Sequence, residues 1–158
     1  MISEIENAMM ARLKDGLGRM VSSVGSYGGE LEEVVAIARV LPACWEAFVG
    51  VQQTHPVSTH KQRFYTTGRF SVLLAAYSVR EEAAQRKGGP ARDEVGCNRL
   101  IRAVRRLMSR QDMGLPVEPL LPGRVRSLFS TRLNSDALAA YSCEFDTVWV
   151  EEALDNGR

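Results

Sequence analysis

The sequence predicts an α+β fold, a mainly antiparallel sheet with helices packed on one face. Three observations carry this. The elements run α-β-α-β-β-α-β-β, without the regular β-α alternation that builds a parallel sheet. Arg63–Ser78 alternates with a period of two, the mark of a long strand. Arg124–Leu133 and Leu138–Glu151 read as two strands joined around Asn134-Ser135-Asp136, a hairpin. With 158 residues and no internal repeat, the chain reads as a single domain, residues 1–158, large enough to bury a core without staples.

The first helix is expected from Ser3, an N-cap whose partner Glu6 completes a capping box. Ile5, Met9, Leu13 and Leu17 recur near helical spacing, and Gly16 and Gly18 end the run. Arg19–Ser26, with Met20, Val21 and Val24, reads as a short strand, and Ser26-Tyr27-Gly28-Gly29 as a turn. A second helix is predicted from Glu30 to Val40, because Glu30, Glu32 and Glu33 sit where the helix dipole favours acids and Pro42 stops the chain. Ala43–Val51 is a strand with Trp45, Ala47, Val49 and Val51 on one face. Gln52–Lys61 is polar, holds His55, Pro56 and His60, and reads as a loop.

In Arg63–Ser78, Phe64, Thr66, Phe70, Val72, Leu74 and Ala76 share a face; Tyr65, Thr67, Arg69, Ser71, Leu73 and Tyr77 share the other. Gly68 inside it suggests a bend or bulge. Val79–Lys87 looks helical until Gly88-Gly89-Pro90 breaks it. Asp93 or a neighbour starts an arginine-rich helix. Met113–Gly123, with three prolines and two glycines, is an extended connector. In the last strand Tyr141, Cys143, Phe145, Thr147 and Trp149 face one way, and Ser142, Glu144 and Asp146 the other. Asp155–Arg158 is a polar tail.

Composition narrows the function classes. Twenty Lys plus Arg against nineteen Asp plus Glu leave a net charge of +1, so a dedicated nucleic-acid binder's basic excess is missing. Cys44, Cys97 and Cys143 have no metal-ligand spacing and read as free, partly buried thiols in a reducing compartment. The acidic, amphipathic start is unlike a signal peptide, and the longest wholly apolar run, Val72–Tyr77, is too short to span a bilayer. These features point to a chain made and kept in cytosol, with no membrane partner.

The motif search is mostly negative. There is no GxxxxGK[ST], GxGxxG or HExxH. Val24-Gly25-Ser26-Tyr27-Gly28 approaches a nucleophile elbow but lacks its first glycine, so a turn is expected. His55 and His60 flank a proline that argues against a helix, and loop contacts are favoured over a metal site. Arg63-Phe64-Tyr65 and Arg69-Phe70 interleave basic and aromatic residues, as single-strand binders do, but strand alternation explains them equally well. No catalytic, cofactor-binding or metal-ligating residue is nominated.

Asn98–Arg110, NRLIRAVRRLMSR, holds five arginines. Leu100, Ala103, Val104, Leu107 and Met108, with Ile101 beside them, form a core-facing stripe. Arg99, Arg102, Arg105, Arg106 and Arg110 fill the rest, too broadly for one reading edge. A solvated face is the first expectation. Arginine in place of lysine adds weight to a subunit interface, since guanidinium forks carboxylates in partly buried settings. Direct nucleic-acid contact is the third reading. On the interface reading, at least two of Arg99, Arg102, Arg106 and Arg110 pair across a subunit boundary with acids drawn from Glu30, Glu32, Glu33, Glu151 and Glu152.

Taken in order, ISEIENAMMARLK, SYGGELEE, ARVLPACWEAFVG, RFYTTGRFSVLLAA, DEVGCNRLIRAVRRLM, LLPGRVRSLF and AYSCEFDTVWVEE resemble a family of virion proteins of bacteriophage Mu and Mu-like prophages, encoded among the head–tail joining and tail genes. The resemblance covers nearly the whole chain. It implies a protein similar to the tail terminators of long-tailed phages: an α+β protomer, without catalytic residues or cofactors. Such protomers form a homo-oligomeric ring, usually a hexamer, on the head-proximal end of the tail tube. Implied partners are the tail tube protein and neck or connector proteins, with phage DNA passing through the ring without sequence recognition. The implied location is the tail or neck of the virion, after assembly in the bacterial host cytoplasm. A connector or stopper on the portal side of the neck is the alternative within that family setting, and a small nucleic-acid-binding regulator the alternative outside it.

Overall fold

The first helix, α1, spans Ile2–Leu17. Its apolar positions recur every turn, and Ile5, Met9, Leu13 and Leu17 are all buried. The structure, a computed structural model, describes residues 1–37, 40–57, 62–77, 96–133 and 136–153. The expected helix Val79–Lys87, its Gly88-Gly89-Pro90 break, the start near Asp93, His60, the Asn134-Ser135 turn and the tail lie outside these residues.

The remaining helices and strands among the described residues are β1 (Ser23–Ser26), α2 (Val34–Ile37), β2 (Ala43–Pro56), β3 (Arg63–Tyr77), α3 (Cys97–Met108), β4 (Leu121–Leu133) and β5 (Asp136–Glu152). The strands form one sheet in the order β1-β2-β3-β5-β4. The β1–β2 pair is parallel; β2–β3, β3–β5 and β5–β4 are antiparallel. The fold is α+β, as the element order predicts.

Helices α1 and α3 cover one face of the sheet. Their buried stripes, including Leu100, Val104 and Met108 of α3, meet Cys44, Phe70, Val72, Leu74, Cys143, Phe145 and Trp149. Phe48 and Phe70 tilt together at 5.2 Å between centroids, and Phe70 and Trp149 at 6.4 Å, carrying aromatic packing across three strands. The opposite face has a smaller cluster: Ala43, Trp45, Leu73, Ala75 and Ala140 beneath Ile37 and Leu31. Further along that face the side chains are polar. Ser71 and Ser142 share a 2.6 Å hydrogen bond, and Arg69 forks Asp146 at 2.7 and 2.8 Å.

Several expectations fail locally, among them the strand Arg19–Ser26, which shortens to Ser23–Ser26 behind a 3-10 turn at Gly18–Met20. No side chain caps α1: it begins at Ile2, which puts Ser3 inside the first turn instead of ahead of it. Glu30–Val40 is not one helix. Glu30–Glu32 is a single 3-10 turn after Gly29 at φ 101°, and Glu33 at φ −111°, ψ 80° breaks it from α2. Gln52–Pro56 is no loop but the distal half of β2, with His55 opposite Tyr65. Finally, Val49 and Val51 do not continue the Trp45 face. Register shifts between Phe48 and Gly50 and between Val51 and Gln53 put Val51 opposite Gly68, on the helix-side face.

Gly68 does not bulge β3, whose pairing with β5 runs unbroken; the bulges lie on β2 instead. What requires glycine there is room. A Cβ on Gly68 would overlap the buried indole of Trp149. Gly68→Ala should therefore destabilise the chain by about 1–3 kcal/mol, the usual cost of overpacking. Chemical denaturation would check this, and a loss below a few tenths of a kcal/mol would show that the indole moves freely.

Candidate assembly surface

Three thiols, two carboxylate groups and one arginine helix are the chemistry-bearing features that the sequence singles out. Cys44, Cys97 and Cys143 are fully buried rather than partly so. Burial pushes their thiols up to about 12, 11 and 11, far from the thiolate that nucleophilic or metal chemistry needs. Ser26, the serine of the near-miss elbow, is exposed where β1 ends, and Tyr27 N–H donates to the Glu46 carbonyl at 2.8 Å. His55 is exposed on β2. Among the described residues no group of three or more His, Cys, Asp or Glu side chains could hold a metal ion. No helix among them is long and apolar enough to cross a membrane.

The basic–aromatic stretches of β3 are not a stacking platform. Phe70 is fully buried, Arg69 is committed to Asp146, and Arg63 lies 2.5 Å from Glu152. Arg126 of β4 reaches the buried Glu144 at 2.5 Å, so the polar face carries an ion network across β3, β5 and β4.

The arginine helix is built as its spacing predicts. Cys97, Leu100, Val104 and Met108 face the core, and Arg99, Arg102 and Arg106 stand on the exposed side. Arg105 differs from them: it is half-buried and donates to the Gly123 carbonyl at 2.9 Å, tying α3 to β4. Arg110 is exposed just past the helix, in a turn at φ 60°. Among the described residues none of Arg99, Arg102, Arg106 and Arg110 has an ion-pair partner.

The acids named with them separate into two places. Glu30 and Glu32 lie on the 3-10 turn and Glu33 directly after it, over the sheet face opposite α3. Glu151 and Glu152 lie near the far end of β2, level with Phe64 and Arg63. The span from Glu46 to Pro56 that separates these levels is roughly 30 Å at strand rise. Glu151 is already engaged, accepting from Thr66 Oγ1 at 3.0 Å and Trp149 Nε1 at 2.8 Å, and Glu152 is paired with Arg63. Glu30 accepts from Gly28 N–H at 2.6 Å. Glu32 and Glu33 are exposed without an ion-pair partner among the described residues.

Sequence reasoning missed Glu46. It lies on β2 between Trp45 and Ala47, so alternation turns it toward the helix layer, where it is completely buried. Among the described residues neither carboxylate oxygen has a hydrogen-bond partner. Burial, with the nearby charge of Glu6 on α1, pushes its carboxyl up to about 8. The only signal in the sequence is a lone acid in an otherwise apolar stretch.

A family model described as Bacteriophage Mu, Gp37 matches residues 1–150. No curated protein matches the chain.

Because the folded carboxyl titrates near 8, above its ordinary 4.5, the folded chain keeps a proton that the unfolded chain has released between those values. The stability this gives is full below 4.5 and is lost as pH rises through 8, at up to about 1.4 kcal/mol per pH unit. Glu46→Gln should remove that loss. Its advantage over the parent in thermal melts should be larger at pH 9 than at pH 5. An advantage that does not change with pH would mean the carboxylate is not what titrates.

Proposed function

The chain belongs to the bacteriophage Mu Gp37 family, a family of phage structural proteins, and from that premise we propose that it is a tail terminator. In this reading copies of the chain form a closed ring, a hexamer by likeness to other terminators, on the head-proximal end of the tail tube. The ring ends tube polymerisation and offers the surface onto which the head docks, while DNA passes through without sequence recognition. The role is structural and non-enzymatic, placed in the tail or neck of the virion.

The single observation that carries this reading beyond the family is the division of charge between two unlike surfaces. The unpaired arginines of α3 lie over one sheet face and the acids of the 3-10 turn over the other. A surface that complements a different surface of the same chain makes heterologous contacts, and such contacts generate rings when the rotation closes. The near-neutral total of +1 agrees with charges meant to meet each other more than with a phosphate-binding face. A connector or stopper on the portal side would use the same kind of ring, and only position in the particle separates the two.

Light scattering on the purified chain should show a closed oligomer. Phage lacking the protein should make tails of uncontrolled length, seen by negative-stain imaging. Tails of normal length that fail to join heads would instead assign the chain to the connector side.

A further inference from the structure

We propose that the acid-rimmed groove beside Trp45 is the socket for the α3 arginine face of a second copy of this chain. This deepens the ring reading and rests on it. The groove has a volume of about 460 Å³, between the 3-10 turn, α2 and the sheet. Ile37, Val40 and Trp45 make its apolar part, and Glu30 and Glu33 stand on its lining beside Gly28. Val40 is left 40% exposed there, an apolar surface that nothing described in this chain covers.

Charge complementarity selects the occupant. Ser26–Ile37 contains Glu30, Glu32 and Glu33 and no Lys or Arg, a local charge of −3. Cys97–Arg110 contains five arginines and no acid, a local charge of +5. One of those five, Arg105, is spent on Gly123 within the chain, which leaves Arg99, Arg102, Arg106 and Arg110. The two segments lie over opposite sheet faces, so one copy cannot bring its own together. An arginine suits the groove in both its parts. Its methylene stem covers the apolar surface, and its guanidinium forks a rim carboxylate.

Two full-length variants test the contact. Arg102→Glu with Arg106→Glu reverses the helix face. Glu32→Lys with Glu33→Lys reverses the acid segment and spares Glu30, whose carboxylate holds Gly28 N–H. All four positions are exposed, so both proteins should keep the parent's circular dichroism and melting. Each alone should need an about tenfold or higher concentration to assemble, because like charges now face each other. An equimolar mixture should assemble again, with the two chains in equal numbers by native mass spectrometry. Arg106→Cys with Glu33→Cys, oxidised in dilute solution, gives a measurement that does not depend on charge reversal: a ladder of covalent multimers supports the contact.

Variants that assemble like the parent, or a mixture that stays dissociated, would overturn the socket while leaving the ring intact. A parent chain that stays monomeric at every concentration would overturn the ring itself and the socket with it. Tight duplex DNA binding by the assembled parent, lost in the arginine variant, would put those arginines on DNA and also overturn the socket.

Discussion

Fifteen consecutive residues of β3 pair one for one with β5, from Arg63–Glu152 to Tyr77–Leu138, without a bulge. Side chains along a strand alternate between faces, so this register decides which residue meets which layer. It places Phe70, Val72 and Leu74 beside Phe145, Cys143 and Tyr141 under the helices, and Arg69 and Ser71 beside Asp146 and Glu144 on the other side. A slip of one residue would turn one strand over, putting Arg69 into the apolar layer if β3 moved or Glu144 if β5 did. Gly68 and Trp149 reinforce the same register, since the indole occupies the space where any larger residue on β3 would project. The flanking strands absorb the irregularities: β2 is bulged twice against β3, and β4 twice against β5.

That division explains how much of the fold was legible in the sequence. β3, β5 and α3 could be read because each keeps one continuous apolar face in the core between helices and sheet, so hydrophobic period and structural face coincide. Gln52–Pro56 could not, because both faces of β2 are exposed there and no apolar alternation is selected. Its strand character comes from β3 alongside, a tertiary cause that composition does not record. The broken Glu30–Val40 helix failed for a different reason: acids at a helix start are also acids on a polar turn, and Gly29 with the Gly28–Glu30 bond favours the turn. The arginine face was legible as a pattern, and so was its lack of one narrow reading edge. Which acids lay near which surface was not, because that depends on the order of strands in the sheet. Glu151 and Glu152 proved to be held within the chain, and Glu30, Glu32 and Glu33 to lie on the far face.

The sheet face opposite α1 and α3 is kept dry or wet by different means along its length. Near Ile37 it is apolar. Beyond Leu73 it is held by the Ser71–Ser142 bond and by Arg69 and Arg126 around Asp146 and Glu144. Glu144 is nearly fully buried, so its two guanidinium partners offset a desolvation cost that would otherwise be several kcal/mol. These charges are spoken for inside the protomer. Glu46 on the helix side has no such partner among the described residues, and burial favours its protonated form.

The remaining charges are distributed so that protomer stability and assembly are separable. Exposed ion pairs are worth only ~0–1 kcal/mol each, and the α3 arginines lie outside the buried stripe that holds their helix down. A contact built from them is weak between two copies, and its hydrated surface gives a free protomer little tendency to aggregate. Ring closure changes the balance. The last contact forms between ends already held at high effective concentration, so it adds its energy without a second loss of translational freedom. On the ring reading, modest charged contacts are therefore sufficient for a stable closed assembly and insufficient for a stable dimer. A hydrophobic interface of the same area would hold partial assemblies as firmly as complete ones.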